Sequence, residues 1–225
     1  MRPELPPRAI SFAGCAWLLP YHLGVAQALS YYFGLDRPYY LGASSGAIAA
    51  VACASGLLPR DVFEQTLDSA ARYEGMRMGP FGRMSALVQH ALDAMLPLDA
   101  HQRVAGRFFA SVTTLPRLQN RLEPTAPLTS RSELIDLVLA SCYIPLYYER
   151  VPFFRGSPYL DGGATDVLPR LDTGTLTVSP MRGHGAHISP RSKHSALRVL
   201  FPEPKALRAL FADGERDARH FMDHA

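Results

Sequence analysis

Residues 39–55 impose the tightest constraint on this chain. Tyr39-Tyr40-Leu41 reads as a short strand, Gly42-Ala43-Ser44-Ser45-Gly46 as a tight turn, and Ala47 to Ser55, almost all Ala, Ile, Val and Cys, as a buried helix. A strand passing straight into a buried helix must double back on itself, and only small residues fit where the backbones cross. The same order stands at the start of the chain. Arg8 to Ala13 predicts a buried strand, Gly14-Cys15-Ala16 a small-residue turn, and Leu18 to about Phe33 a helix with Gly34 as its stop. Strand, helix, strand, helix in alternation predicts an α/β fold with a mainly parallel sheet.

Further along, amphipathic helices are expected from Pro59 to about Tyr73 and from Met84 to Met95, and another helix from Arg131 to Cys142. Strands are expected at Phe108–Thr113, Tyr159–Leu160 and Leu176–Val178, with a hairpin or loop at Leu115–Pro127. The tail from Pro204 to Met222 reads as helical with a break at Gly214. A length of 225 residues suits one compact unit, so 1–225 is expected to be a single domain.

Composition excludes several classes. A formal charge of +3 gives no argument for nucleic acid, although it tolerates an anionic membrane surface. Cys15, Cys53 and Cys142 are widely spaced with no CxxC pair, which fits a reducing compartment and offers no zinc pattern. The opening MRPELPPRAISFAGC lacks the basic and continuous apolar regions of a secretory signal. SFAGC mimics a lipoprotein cleavage box, but Glu4 and three prolines precede it. No run approaches the ~18 apolar residues of a spanning helix, so the chain is expected to be soluble or peripheral.

Chemistry concentrates in three places. G-x-S-x-G between a strand and a helix holds a serine in the open, with the helix N-terminus beside it to favour developing negative charge. Ser44 fits that role better than Ser45, whose neighbours two away are Ala43 and Ala47. The alternative is a Gly/Ser-rich helix start that binds nothing. Gly14-Cys15-Ala16-Trp17 forms a second strand-to-helix turn whose N–H groups suit an oxyanion; the alternative is an ordinary connection. Asp161-Gly162-Gly163 follows apolar Tyr159 and Leu160, where burial raises a carboxyl pKa toward that of a general base. Taken alone, an Asp-Gly turn explains it as well.

Together these segments resemble the patatin-like phospholipase family, and within it the branch that includes adipose triglyceride lipase. Ser11-Phe12-Ala13-Gly14-Cys15 with Tyr21-His22-Leu23-Gly24-Val25-Ala26 is similar to that branch's oxyanion segment and helix, and Gly42 to Ala47 to its nucleophile turn. Ala140-Ser141-Cys142-Tyr143-Ile144-Pro145, Tyr159 to Gly163 and Asp166-Val167-Leu168-Pro169 resemble later landmarks. The likeness runs from about residue 9 to the end. It implies a three-layer α/β/α fold and a Ser–Asp dyad, with Ser44 as nucleophile, Asp161 as base and the N–H groups of Gly14, Cys15, Ala16 and Trp17 as oxyanion donors. It further implies a long-chain lipid ester as substrate, no metal or organic cofactor, and a cytoplasmic protein peripheral to a membrane or lipid-droplet surface. Ala16 and Leu19 depart from the branch, which has glycine there; a positive φ at either carries a steric penalty.

Other readings compete. Ser44, Asp161 and then His184 or His187 match the order of an α/β-hydrolase triad, and His184 and His187 together with His194 suggest a metal of no compact spacing. His22 either lines the site or packs locally. Met76, Met78, Met84, Met95 and Phe81 line an acyl pocket or, on their helical spacing, form core. The C-terminal helix, with Leu207, Leu210, Phe211, Phe221 and Met222 opposite Lys205, Arg208, Arg216 and Arg219, suits either a membrane surface or packing on the domain. An acyltransferase using the same dyad and a non-catalytic lipid-binding relative are the alternative functions.

Overall fold

The computed structural model describes residues 5–73, 79–191 and 203–224. In chain order the elements are β1 (Ala9–Phe12), α1 (Leu19–Leu29), β2 (Tyr39–Ala43), α2 (Ser45–Ala54), α3 (Pro59–Ala71), α4 (Met84–Met95), α5 (Ala100–Arg103), β3 (Phe108–Thr114), β4 (Asn120–Pro124), α6 (Arg131–Cys142), β5 (Phe153–Phe154), β6 (Ser157–Asp161), β7 (Leu176–Val178) and α7 (Pro204–Asp223). Short 3-10 turns precede α1 and follow β6. The sheet centre is parallel in the order β3, β2, β1, β7, and β4, β5 and β6 extend it antiparallel on the β3 side. With its helices this is the α/β architecture that the alternation predicts, in the three-layer form that the resemblance implies.

The central strands are buried from end to end, β1 throughout and β2 from Tyr40 to Ala43, so they read as continuous apolar runs rather than alternating ones. The alanines of α2 bring that helix against β1, β2 and β3. Pairing on β3 decides which chain segments meet. Residues Phe109–Thr113 pair with β4 along one edge. The opposite edge is shared: β2 pairs with Phe108–Ser111, and β6 continues from Val112 to Thr114.

Two details differ from the sequence reading. The first helix ends at Leu29, short of Phe33, in a series of turns. The Leu115–Pro127 segment takes the hairpin form of its two expected readings, with β4 antiparallel to β3. Gly214 does not break the last helix, because it is a contact glycine. A Cβ there would lie 2.2 Å from the Tyr21 carbonyl oxygen, and one on Gly24 would lie 2.0 Å from that of Phe211. The two glycines let α1 and α7 cross almost backbone to backbone, and Phe211 stacks on Phe63 with centroids 4.3 Å apart. The apolar face of α7 is therefore covered by the domain itself, as the packing reading expects.

Gly214→Ala separates propensity from packing. Helix propensity alone stabilises it by about 1 kcal/mol. Overpacking against Tyr21 outweighs that gain, so the expected net result is a loss of about 2 kcal/mol, read as a lowered urea midpoint.

Candidate active site

Ser44 occupies the turn between β2 and α2 with φ +56° and ψ −132°, a conformation L-residues rarely adopt. Close approach enforces it: a Cβ on Gly42 would meet the Gly46 carbonyl oxygen at 2.2 Å, and one on Gly46 would meet that of Phe12 at 2.2 Å. Ser141 anchors the strained residue. The Ser44 N–H donates to both the Ser141 carbonyl and the Ser141 Oγ, each at 3.1 Å. The Ser141 hydroxyl in turn donates to the Ser111 carbonyl on β3 at 2.7 Å. Ser44 is 7% exposed, which leaves its side chain reachable only through a cavity.

Asp161 ends β6 opposite Val112, one register step beyond the Ala43–Ser111 pair that ends β2. The two chain segments therefore meet head to head on one edge of β3. Asp161 is 8% exposed, and burial raises its pKa to about 6; the nearby Ser44 hydroxyl and the Gly163 N–H oppose that rise. Oδ1 accepts from the Gly163 N–H at 2.7 Å. Oδ2 is buried without a fully formed hydrogen bond, and the Ser44 hydroxyl is close enough to favour the carboxylate.

The turn after β1 divides the four expected donors. The Gly14 N–H is engaged with the Val167 carbonyl at 2.8 Å, and the Cys15 N–H with Ser45 Oγ at 3.2 Å. Ala16 carries φ +46°, and among the described residues its N–H has no protein acceptor. The Trp17 N–H likewise has no protein acceptor among the described residues, while its ring Nε1 donates to the Tyr147 hydroxyl at 2.8 Å. Of the two departures from glycine, only Ala16 lies in the left-handed region, at an expected cost of about 1 kcal/mol; Leu19 has φ −42° and is an ordinary helical residue.

Two cavities meet at Ser44 and Ala16. A narrow one of ≈ 80 Å³ runs between α3 and α4, walled by Ile48, Val62, Leu87, Val88 and Ala91. A wider one of ≈ 360 Å³ opens past Asp161 and is walled by Ile144, Pro145, Leu160, Val167 and Met181. Among the described residues that line either cavity, Asp161 is the one acidic or basic side chain.

Comparison with known proteins settles the lineage. The patatin-like phospholipase family pattern matches residues 10–173. The chain belongs to the patatin-like phospholipase family. It is 33% identical to the 1-acylglycerol-3-phosphate O-acyltransferase Pnpla3 of Mus musculus over 96% of this chain and 59% of that protein. It is 30% identical to the patatin-like phospholipase domain-containing protein 2 of Rattus norvegicus over 95% and 50%, and 32% identical to the human patatin-like phospholipase domain-containing protein 4 over 82% and 75%. The chain thus spans about half the length of the first two relatives. The crystal structure of VipD from Legionella pneumophila shares the fold, with a TM-score of 0.61 at 13% identity, covering 99% of this chain and 68% of that one.

In this patatin-like chain His184 and His187 stand apart from Ser44 and Asp161. His184 Nδ1 lies 2.9 Å from Ser179 Oγ, and His187 Nδ1 accepts from the Thr177 N–H at 3.1 Å; neither lines the cavities at Ser44. His194, Met76 and Met78 lie outside the described residues. His22 is fully buried and its Nε2 lies 2.8 Å from the Ala13 carbonyl, just before the Gly14 turn; burial lowers its pKa to about 4 and keeps it neutral. Met84 and Met95 combine the two readings offered for them, since both pack with the core and line the narrow cavity. Among the described residues no set of His, Cys, Asp and Glu side chains is grouped to hold a metal, and all three cysteines are buried free thiols. Sequence reasoning missed the bridging role of Ser141 and the contribution of α3. Gln65, Thr66 and Ser69 share a helical face with Val62 and line the cavity, but their polarity disguises that face.

The raised Asp161 pKa has a stability consequence. A folded-state pKa near 6 against 3.8 means that the native protein favours the protonated acid. That contribution is full below pH ~4 and lost as pH rises through ~6, where ionising Asp161 costs about 3 kcal/mol. Asp161→Asn, which is uncharged, is expected to raise the melting temperature at pH well above ~6 and to change it little near pH ~4. Thermal scans at both pH values check this; an equal shift at each would assign the effect to packing.

Proposed function

We propose that this domain is a serine-dependent lipid acyl hydrolase acting through a Ser44–Asp161 dyad. The observation that carries the reading is the strained Ser44 beside a buried carboxylate of raised pKa, at the junction of two apolar cavities. Asp161 takes the proton of Ser44 as Oγ attacks the ester carbonyl carbon. The Ala16 N–H and the N-terminus of α2 receive the developing oxyanion. Collapse expels the alcohol, which recovers the proton from Asp161 and leaves an acyl-Ser44. Water, deprotonated by Asp161, then releases the fatty acid.

The cavities divide the substrate between them. The lining face of α4 from Met84 to Met95 extends about 16 Å, so we assign the acyl chain to the narrow cavity, which must widen beyond its ≈ 80 Å³ to take a long one. The wide cavity takes the alcohol half, and among the described residues its walls offer no cation to a phosphate while presenting one carboxylate. An uncharged glyceride is favoured over a phospholipid on that ground. We place the protein at lipid surfaces as a peripheral enzyme; no helix among the described residues is long and apolar enough to cross a membrane.

One observation favours a second reading. A relative covering nearly the whole chain carries the name 1-acylglycerol-3-phosphate O-acyltransferase, and the same acyl-serine passes to an acceptor alcohol when one outcompetes water. Product analysis with and without a lysolipid or monoacylglycerol acceptor separates the two: acylated acceptor at the expense of free fatty acid marks a transferase.

The deciding experiment follows turnover of p-nitrophenyl esters of increasing chain length. Ser44→Ala and Asp161→Asn are each expected to lower kcat by at least about a thousandfold, while His184→Ala retains wild-type turnover. In the wild type kcat/KM is expected to fall as pH drops below ~6, because a protonated Asp161 accepts nothing. Full activity in Ser44→Ala would end the proposal. The channel assignment has its own test: Ala91→Phe narrows it, with an expected loss of at least about tenfold on palmitate esters and little change on butyrate.

A further inference from the structure

Several of the exposed large apolar side chains gather at the end of the sheet where Ser44 stands. Leu146, Val151 and Phe153 follow the wide-cavity residues Ile144 and Pro145, and Leu115 and Leu118 lie in the turn after β3 at the same end. Leu146 is 89% exposed and has φ +71°, so a branched side chain occupies a left-handed position with no packing to compensate for it. A rigid frame holds it out. The Trp17 indole donates to the Tyr147 hydroxyl at 2.8 Å, and the Gly82 N–H to the Tyr147 carbonyl at 3.0 Å. Glu149 accepts from the Ser85 and Ala86 N–H groups at 2.9 and 2.8 Å, clamping the loop onto the first turn of α4.

Phe153, 59% exposed, pairs with Pro158 across β5 and β6. Side chains of paired residues share a face, and so do positions two apart on a strand, which puts Phe153 on the face of Leu160, a wall of the wide cavity. Phe153, Pro158 and Leu160 thus form one apolar face of the hairpin that begins at the cavity wall and ends at its outer edge. The exposed charges of these loops include the basic Arg117, Arg150 and, beside the cavity wall at Met181, Arg182, and the acidic Glu149. Glu149 is engaged with α4.

We propose that segment 145–153, with the exposed Leu146 and Phe153, is the surface by which the protein seats on a lipid–water interface, mouth downward. Apolar side chains presented on a fixed frame enter the acyl boundary while flanking arginines meet headgroup phosphates. The seat lets a lipid ester pass from the interface into the wide cavity without crossing water. This rests on the lipid hydrolase reading, but its binding arm requires no turnover.

The test uses Ser44→Ala protein and vesicles of phosphatidylcholine with phosphatidylglycerol. The native chain has a single tryptophan, Trp17, which is buried, so Leu146→Trp adds an exposed reporter. Its emission is expected to shift to the blue and to be quenched by brominated lipid. Leu58→Trp, at the far end of the sheet after α2, is expected to do neither. In Ser44-intact protein, Leu146→Asp with Phe153→Asp is expected to lower vesicle affinity and triacylglycerol-emulsion turnover about tenfold each, leaving p-nitrophenyl butyrate turnover unchanged. An unshifted Leu146→Trp on vesicles that sediment the protein would overturn the proposal, as would failure of the protein to bind vesicles. Equal loss on butyrate and emulsion would make Leu146 part of the site and also overturn it. Self-association abolished by Leu146→Asp, without vesicle binding, would reassign the patch to contacts between copies. Vesicle insertion with no hydrolysis in the wild type would leave this surface standing and remove the dyad reading.

Discussion

The candidate site depends on how one edge of β3 is divided. β4 pairs with Phe109–Thr113 along one edge, and on the other β2 and β6 arrive from opposite directions and stop against each other. The residues at the meeting point are Ser44 and Asp161, so their proximity is a matter of strand register and not of loop conformation. Ser111 locks the junction: its carbonyl accepts from Ser141, which also holds the Ser44 N–H, and Gly162 lies so near that a Cβ there would fall 2.1 Å from the same oxygen. A site built on paired strands keeps its geometry to within the stiffness of the sheet, which proton transfer between two side chains requires.

That rigidity carries strain. Ser44 and Ala16 sit at positive φ without being glycine, Asp161 is buried with Oδ2 incompletely satisfied, and Leu146 is both twisted and exposed. These positions gather around one mouth, whereas β1, α2 and the α1–α7 crossing are closely packed and apolar. Local cost tolerated at a site and offset by an over-determined surround is the expected pattern for a functional centre. Ala16 illustrates it: the hydrogen bonds of Gly14 to Val167 and Cys15 to Ser45 fix the residues before it, and a left-handed alanine is the conformation that remains.

Much of this is legible in the sequence, for identifiable reasons. The elbow is visible because its physics is local: glycines two residues either side of Ser44, then a run of alanines. Asp161 is visible only as an Asp-Gly-Gly after apolar residues, a pattern with a common alternative, and its pairing with Ser44 depends on strand register that no local pattern encodes. Ser141 enters only as part of a landmark, because a buried serine at a helix end announces nothing until Ser44 and Ser111 are seen on either side. The supposed break at Gly214 fails for the same reason. Propensity reads a helix glycine as weakness, while here it is the contact that brings two helices together. The turn from Gly14 to Trp17 is visible as a run of small residues after a strand. Which of its N–H groups are already engaged depends on Val167 and Ser45, residues distant in sequence.

On the proposed reading, substrate class and base strength are not independent properties. The walls that receive an uncharged lipid are the walls that desolvate Asp161 and lift its pKa to about 6. A cation added to bind a phosphate headgroup would lie near that carboxylate and favour its ionised form, lowering its pKa and weakening it as a base. It would also compete with the Ser44 proton for the carboxylate. A dyad has no histidine to take over the proton, so the apolar character of the cavity is itself part of the catalytic apparatus. Selection for a charged leaving group therefore acts against turnover unless the cation stands well away from Asp161, at the outer rim, where Arg150 and Arg182 already are.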